Sequence, residues 1–250
     1  MLFSDAVLLG GGASVSERAA VISGTLEDVD LKTWLDDNTS YNTDVDYQTF
    51  NITITATIGA SSTSATAFTI AGFPSNTTIN IIGSNCTIWG YGGAGGASGT
   101  PASPTGKDGG AGGDGMSTDQ DITFTGTGTI SGGGGGGGGS AIRFPSNPTA
   151  NGGAGAGSQN SGVAQSGTGG QSCTLYEGDY YYTLPGGTGG ALGTSGNSGS
   201  YWCNSGGSPT CATCTPASSG GGGGAAGKAV ETNGNTITDN SSITFNGTVG

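Results

Sequence analysis

Histidine is absent from the 250-residue sequence, and charged side chains make up only 9% of it. Histidine is the most frequent general acid or base and the commonest metal ligand, so its absence argues against hydrolytic triads and most zinc enzymes. No sequence signature places a pair of carboxylates across a substrate. The sequence therefore predicts a protein that is not an enzyme, with no catalytic residue, no metal site and no cofactor.

Positive charge is also scarce. Five bases stand against 17 acids, for a formal net charge of −12. Such a chain has too few cations to neutralise a nucleic-acid backbone or to dock on anionic lipid. It contains no run of 18 apolar residues, and its first residues lack the basic stretch of a secretory signal. We therefore expect neither a nucleic-acid partner nor insertion into a membrane.

Glycine, by contrast, is abundant and unevenly distributed. Of the 56 glycines, 48 follow residue 90, whereas nine of the 17 acids fall within the first 50 residues. This shift in composition divides the chain into three regions. We predict an acidic N-terminal region over 1–50, a small β-strand region over 51–90 and a glycine-rich domain over 91–250.

The first two regions carry recognisable local patterns. Residues 14–17 fit a helix capping box, and residues 25–28 supply a second N-cap with acids in its first turn, which predicts two short helices. Polar and apolar side chains alternate over 51–57 and 78–81, with a third strand-like segment over 67–70 between them. We predict from these segments a small antiparallel β unit with one buried face.

The glycine-rich region repeats one pattern, in which a short strand of Thr and Ile runs into glycine. It occurs over 85–96 and 121–139, and its opening returns over 242–250. Eight consecutive glycines over 132–139 would cost about 1 kcal/mol each in an α-helix relative to alanine. The alternatives are a flexible linker and the extended polyglycine II helix, with three residues per turn and no internal hydrogen bonds. The entropy lost when glycine is ordered favours the linker. The repeated unit of strand and glycine favours the helix, packed as a lattice in which neighbouring helices satisfy one another, and this is the interpretation that we adopt.

These strands and glycine tracts, alternating with variable polar loops, resemble the tail-fibre tip adhesins, or receptor-binding proteins, of T-even-like bacteriophages over residues 50–250. The resemblance implies a mostly irregular and β fold, with a small N-terminal α/β attachment region followed by a polyglycine type II helix sandwich with exposed loops. The partners that it implies are the distal end of a trimeric fibre protein and a host surface receptor, either an outer-membrane protein or a glycan. It also implies a virion protein at the fibre tip, assembled in the host cytoplasm.

Carried over to this chain, the resemblance makes the glycine tracts a scaffold and the segments between them exposed loops. The scaffold glycines are Gly92, Gly93, Gly95, Gly96, Gly132, Gly136, Gly139, Gly220 and Gly224. The loops cover 100–107, 143–150, 171–185 and 201–219.

Aromatic residues form two clusters within these loops. Exposed aromatic rings offer a large contact face at a low entropic cost, so we expect them to bind sugar rings or apolar knobs of the receptor. The alternative is that they pack over the glycine scaffold and fill its gaps. The residues are Tyr176, Tyr180, Tyr181, Tyr182, Tyr201 and Trp202.

Cysteine and aspartate provide two further groups. Four of the five cysteines, Cys173, Cys203, Cys211 and Cys214, crowd into the loop region. Disulfides that staple two loops are the leading interpretation, with a zinc site or inert thiols as alternatives. The aspartates lack the EF-hand pattern, so we interpret them as a solvated acidic face. They are Asp108, Asp114, Asp119 and Asp121.

Two other functions stay open at the level of sequence. One is a structural or surface-active glycine-rich protein, either antifreeze-like or filament-forming. The other is a tail spike that depolymerises host polysaccharide. Three observations distinguish these functions from one another. Binding to whole host cells indicates an adhesin, self-assembly indicates a structural protein, and release of oligosaccharide indicates a depolymerising tail spike.

Overall fold

The computed structural model describes residues 16–44, 48–100, 102–103, 105–141, 150–165, 186–200 and 219–250, together with the backbone of four short strands between 174 and 218. Within this part of the chain the fold is mostly β, with a single α-helix, α1 (Leu31–Asn38), and one 3-10 turn (Ser158–Asn160). In chain order the strands are β1 (Ser16–Ile22), β2 (Thr25–Glu27), β3 (Val29–Asp30), β4 (Gln48–Ile54), β5 (Thr57–Gly59), β6 (Phe68–Ile70), β7 (Thr78–Trp89), β8 (Met116–Thr118), β9 (Ile122–Ser131), β10 (Thr174–Tyr176), β11 (Asp179–Tyr181), β12 (Trp202–Cys203), β13 (Pro216–Ser218), β14 (Val230–Glu231), β15 (Ile237–Asp239) and β16 (Ser242–Asn246).

Two parallel sheets form the base of the molecule. In the large sheet, β1, β4, β7 and β9 lie side by side, and both β15 and β16 pair with β9. Strands β2 and β5 extend this sheet along the second half of β7. The small sheet has the order β14-β8-β6-β3 and is also parallel. Because the chain visits the large sheet and then the small one on each turn, it winds as a parallel β-solenoid.

The predicted antiparallel unit is wrong in strand direction. Strands β4 and β7 pair in parallel, with Ile52 opposite Ile81. Parallel neighbours need a long crossover connection, and here the crossover passes through the small sheet before it returns. The alternating pattern nevertheless identifies the buried face correctly, since Phe50, Ile52 and Ile54 of β4 all point into the core.

The first predicted N-terminal helix is wrong, and the second exists but was predicted to begin too early in the chain. Residues 16–22 form β1, where Ala20 and Ile22 are buried beside β4. Residues 25–27 form β2, since pairing with β5 outweighs their weak local helix propensity. The helix α1 begins at Leu31, and the carboxylate of Asp30 caps it by accepting a hydrogen bond of 2.8 Å from the backbone amide of Thr33.

The apolar core consists of ladders that run across the strands. One ladder places five apolar side chains in the same register on successive strands, and it lies just below the glycine-rich part of the molecule. Its members are Leu26, Ile58, Ile88, Ile130 and Phe245. Strands from all three predicted regions contribute to the large sheet, so the boundaries predicted at residues 50 and 90 do not separate sheets.

Beyond the sheets, seven glycine-rich segments run side by side, and we call them rods. Rod 3 follows directly from β9 and is surrounded by the other six. The residue ranges are 90–99 for rod 1, 106–115 for rod 2, 132–141 for rod 3, 150–158 for rod 4, 186–193 for rod 5, 194–200 for rod 6 and 219–228 for rod 7.

The hydrogen bonds of rod 3 repeat every third residue. From Gly133 onwards its backbone N–H groups donate in turn to rods 2, 4 and 6, and its carbonyls accept in turn from rods 1, 5 and 7, all with N···O distances between 2.7 and 3.1 Å. Each outer rod also bonds to the next one around the ring. Every residue from 131 to 140 is buried. A β-carbon at Gly136 would overlap the carbonyl oxygen of Ala94, so only glycine permits this approach.

Candidate functional site

The direction of each rod decides which end of the molecule carries the loops. Rod 3 starts where β9 ends, so its last residues lie farthest from the sheets. Each of the other six rods forms backbone hydrogen bonds with these last residues, 138–141, at or near one of its own two ends. The bonded residues are Gly99, Lys107, Ala150, Gly187, Asn197, Ser200 and Gly221. Rods 1, 3 and 6 therefore run away from the sheets, and rods 2, 4, 5 and 7 return towards them.

Four connections consequently have at least one of their described ends on the side of the molecule away from the sheets. Three of them, 100–105, 142–149 and 201–218, join rods directly at the far end. The fourth, 166–185, follows Gln165, whose amide bonds to Ala154 partway along rod 4, and it ends at the far end of rod 5. The described residues that flank three of the predicted loops, and those that follow the fourth, thus lie at one end of the molecule, which the sequence alone did not reveal.

The predicted aromatic residues fall within two of these connections. Tyr176, Tyr180 and Tyr181 belong to the hairpin of β10 and β11, in which Leu175 pairs with Tyr180 and Thr174 with Tyr181. Trp202 belongs to β12 and pairs with Ser218 of β13. Tyr182 and Tyr201 lie outside the described residues. The backbone therefore brings three of the tyrosines into one hairpin and places Trp202 in another.

The four predicted disulfide cysteines are not described at the level of side chains. Cys203 lies on β12, and Cys173, Cys211 and Cys214 lie outside the described residues. The fifth cysteine, Cys86 on β7, is a free thiol with 2% of its surface exposed. Burial raises the pKa of the Cys86 thiol above its ordinary value. Because the thiolate is the reactive form, this cysteine belongs to the core and not to the surface chemistry.

Alkylation of the native chain at mildly alkaline pH is therefore expected to leave Cys86 unmodified. The raised pKa of the Cys86 thiol and its burial away from the reagent both slow alkylation. Peptide mapping by mass spectrometry, after treatment with iodoacetamide before or after denaturation, checks this expectation. Labelling of Cys86 at the same rate in both samples would contradict the buried position.

The predicted acidic face has a structural role that the sequence did not reveal. Asp108 accepts a hydrogen bond of 2.6 Å from the amide of Gly222, and Asp114 accepts one of 2.7 Å from the amide of Lys228. These two bonds hold rod 2 against rod 7. Asp119 and Asp121 bond in the same way to backbone amides of neighbouring turns of the solenoid. In the described ranges, no three or more His, Cys, Asp or Glu side chains are grouped to hold a metal ion.

The predicted scaffold glycines lie on three of the rods. Gly92, Gly93, Gly95 and Gly96 belong to rod 1, Gly132, Gly136 and Gly139 to rod 3, and Gly220 and Gly224 to rod 7. In the part of the chain that is described, none of the helices has the length and apolarity that crossing a bilayer requires.

Comparison with known proteins assigns this architecture to a family. The family model described as phage tail fibre adhesin Gp38 matches residues 17–250. The chain belongs to this adhesin family. The resemblance drawn from the Thr/Ile strands and the glycine tracts is thereby confirmed, and the adhesin is a virion component. Family membership favours this role over a surface-active glycine-rich protein and over a depolymerising tail spike.

A solved structure with the same fold supports the assignment. It is the crystal structure of the gp37–gp38 adhesin tip complex of the long tail fibre of bacteriophage S16. The similarity has a TM-score of 0.53 and a sequence identity of 22%, and it covers 93% of the adhesin chain and 82% of the matched chain. No curated protein sequence matches the adhesin significantly.

Proposed function

We propose that this adhesin binds a host bacterial receptor with the four connections at its far end while its sheet end faces a fibre protein. The observation that supports this proposal is that the rod ends flanking these connections lie on the side away from the sheets, apart from the start of 166–185 partway along rod 4. Loops held on a rigid scaffold are the usual place for binding residues. A protein at a fibre tip needs to present such loops outwards, and the rods supply that geometry.

The rods support a second part of the proposal, namely that they form a polyglycine II helix sandwich. Three-residue periodicity of the hydrogen bonds and the use of both N–H and C=O groups along rod 3 are what this helix requires. At about 3.1 Å per residue, ten residues of rod 3 span roughly 30 Å. Such a scaffold consists of backbone throughout its centre, so the loops can vary in sequence without disturbing the core.

The fibre partner follows from the neighbour with the same fold, which is a gp37–gp38 complex. We propose that this chain likewise attaches to the distal end of a trimeric fibre protein. The acidic N-terminal region over 1–50 is the proposed attachment region, and its strands β1–β3 form the first turn of the solenoid. The receptor is proposed to be an outer-membrane protein or a glycan, bound by the aromatic residues of the two hairpins.

The double substitution Tyr181→Ala and Trp202→Ala is expected to weaken binding of the chain to whole host bacteria by about 30-fold, because two aromatic contacts worth about 1 kcal/mol each at an interface together contribute about 2 kcal/mol. Flow cytometry of cells with fluorescently labelled protein measures the affinity. Val21→Ala is the matched control, since it removes an apolar side chain with 59% exposure on β1, in the solenoid. Unchanged binding by a folded double variant would contradict the assignment of these aromatics.

A further inference from the structure

A cleft of about 520 Å³ opens where the long strands of the large sheet begin. Its walls are the turns that precede β7, β9 and β15 and the first residues of those strands. They comprise residues 75–79, residues 119–123, and Asn235, Thr236 and Thr238. The volume lies within the range of roughly 300–1,000 Å³ that holds a small ligand or a protruding side chain with its flanking backbone.

The chemistry of the cleft is polar and acidic. Hydroxyls and amides of Ser, Thr, Asn and Gln make up most of its lining, and two carboxylates, Asp119 and Asp121, belong to it. No lysine or arginine is among the lining residues. Within the described residues, neither carboxylate takes part in an ion pair. The cleft therefore has negative charge without a compensating cation from the described part of the chain.

Both carboxylates are held in place by backbone amides. Oδ2 of Asp119 accepts a hydrogen bond of 3.1 Å from Gly72, and Oδ1 of Asp121 accepts one of 2.7 Å from Thr236. The intervening Gln120 is fixed as well, since its side-chain amide donates to the carbonyl of Phe73 over 3.2 Å. Each carboxylate keeps its second oxygen for another partner. Two positioned acceptors of this kind suit a guanidinium or an ammonium group.

The cleft and the loops lie at opposite ends of the same strands. Strand β9 begins at the cleft and leads at its other end into rod 3, and β7 leads in the same way into rod 1. Ten residues of β9 at about 3.3 Å each, followed by roughly 30 Å of rod, separate the cleft from the far end by about 60 Å. If the far end meets the host, the cleft faces back along the fibre.

We infer that this cleft is the socket for a lysine- or arginine-bearing segment of the fibre protein on which the adhesin docks. The inference rests on the proposed function, because the end that carries the cleft faces the fibre protein only if the opposite end binds the host. Charge complementarity carries it: two anchored carboxylates without a cation, in a chain of net charge −12, select a basic partner.

The test uses long tail fibres purified from phage particles that lack the adhesin, and the full-length adhesin. The double variant Asp119→Asn, Asp121→Asn keeps an oxygen acceptor for each backbone amide and removes both charges. It is expected to bind the fibres about tenfold more weakly than the unmodified chain. The matched control is Asp108→Asn, Asp114→Asn, which removes the same charge from carboxylates that bond to backbone amides in the rods. It is expected to bind with unchanged affinity.

The outcomes separate the socket from the proposed function. The socket is supported if the cleft variant, Asp119→Asn with Asp121→Asn, loses affinity for the fibres while the control variant does not. The affinity of the unmodified chain should then also fall steeply as salt is raised. Equal affinities of unmodified and cleft-variant chains, both folded, overturn the socket while fibre docking stands. Normal docking combined with weaker adsorption of the cleft variant to host cells overturns it in favour of a saccharide site. If the unmodified chain binds no fibre at all, both the proposed function and the socket fail.

Discussion

A chain carrying Gly136→Ala is expected to lose about 3 kcal/mol or more of its free energy of unfolding. A β-carbon at this position would overlap the carbonyl oxygen of Ala94, and the neighbouring atoms are backbone, which cannot rotate away as a side chain can. The amide of Gly136 also donates to Gly110 over 2.8 Å, and its carbonyl accepts from Gly224 over 2.7 Å. Relief of the overlap would stretch these bonds, and overpacking of a well-packed interior costs about 1–3 kcal/mol even where side chains give way.

Gly222→Ala is the matched control, and we expect this substitution to raise the free energy of unfolding. Gly222 lies on rod 7, where a β-carbon would meet only the Asp108 side chain, at 3.4 Å from its nearest carboxylate oxygen. Alanine there restricts the unfolded chain without straining the folded one, which stabilises by about 0.4–1 kcal/mol. Denaturant unfolding followed by circular dichroism measures both variants. Equal effects of the two substitutions would show that rod 3 is not the tightly packed centre of the rods.

Local sequence patterns identified strands and glycine segments but not their directions. Alternation over β4 is the same whether its neighbour runs parallel or antiparallel, because it reports only which face is buried. The direction is set by pairing with β1 and β7, which lie about 30 residues before and after β4 in the chain. The helix predicted at residues 14–22 failed for the same reason: pairing of β1 with β4 is a long-range contact that outweighs a short capping pattern.

The candidate site was predictable in its residue types but not in its placement. Aromatic residues between glycine tracts identify possible contacts with a receptor from composition alone. Which end of the molecule they occupy depends on whether each rod runs with or against rod 3, and the glycines themselves carry no side chain that could encode this. The solenoid encodes it instead, because β7 and β9 enter rods 1 and 3 in the same direction. The cleft was not predictable, since its three walls come from turns far apart in the chain.

The dependence of the rods on the solenoid leads to a second large expected effect. Ile130 is fully buried and stands opposite Ile88 of β7 in the ladder. It lies two residues before Gly132, where rod 3 begins. Ile130→Ala is expected to lower the free energy of unfolding by about 2–5 kcal/mol, through lost burial and the cavity that remains. Ile130→Val keeps most of the contact and is expected to lose only about 0.5–1.5 kcal/mol.

The informative measurement is hydrogen exchange at the amide of Gly136, which lies in the rods and not in the sheet. Ordering each glycine costs backbone entropy of about 1–2 kcal/mol, and a glycine buries no side chain to offset it. The rods therefore depend on strands that hold their ends in register, and sheet and rods should unfold together. On this basis Ile130→Ala accelerates exchange at Gly136 by the factor that corresponds to its global loss of stability. If exchange at Gly136 stays slow while the sheet is destabilised, the rods fold independently of the sheet.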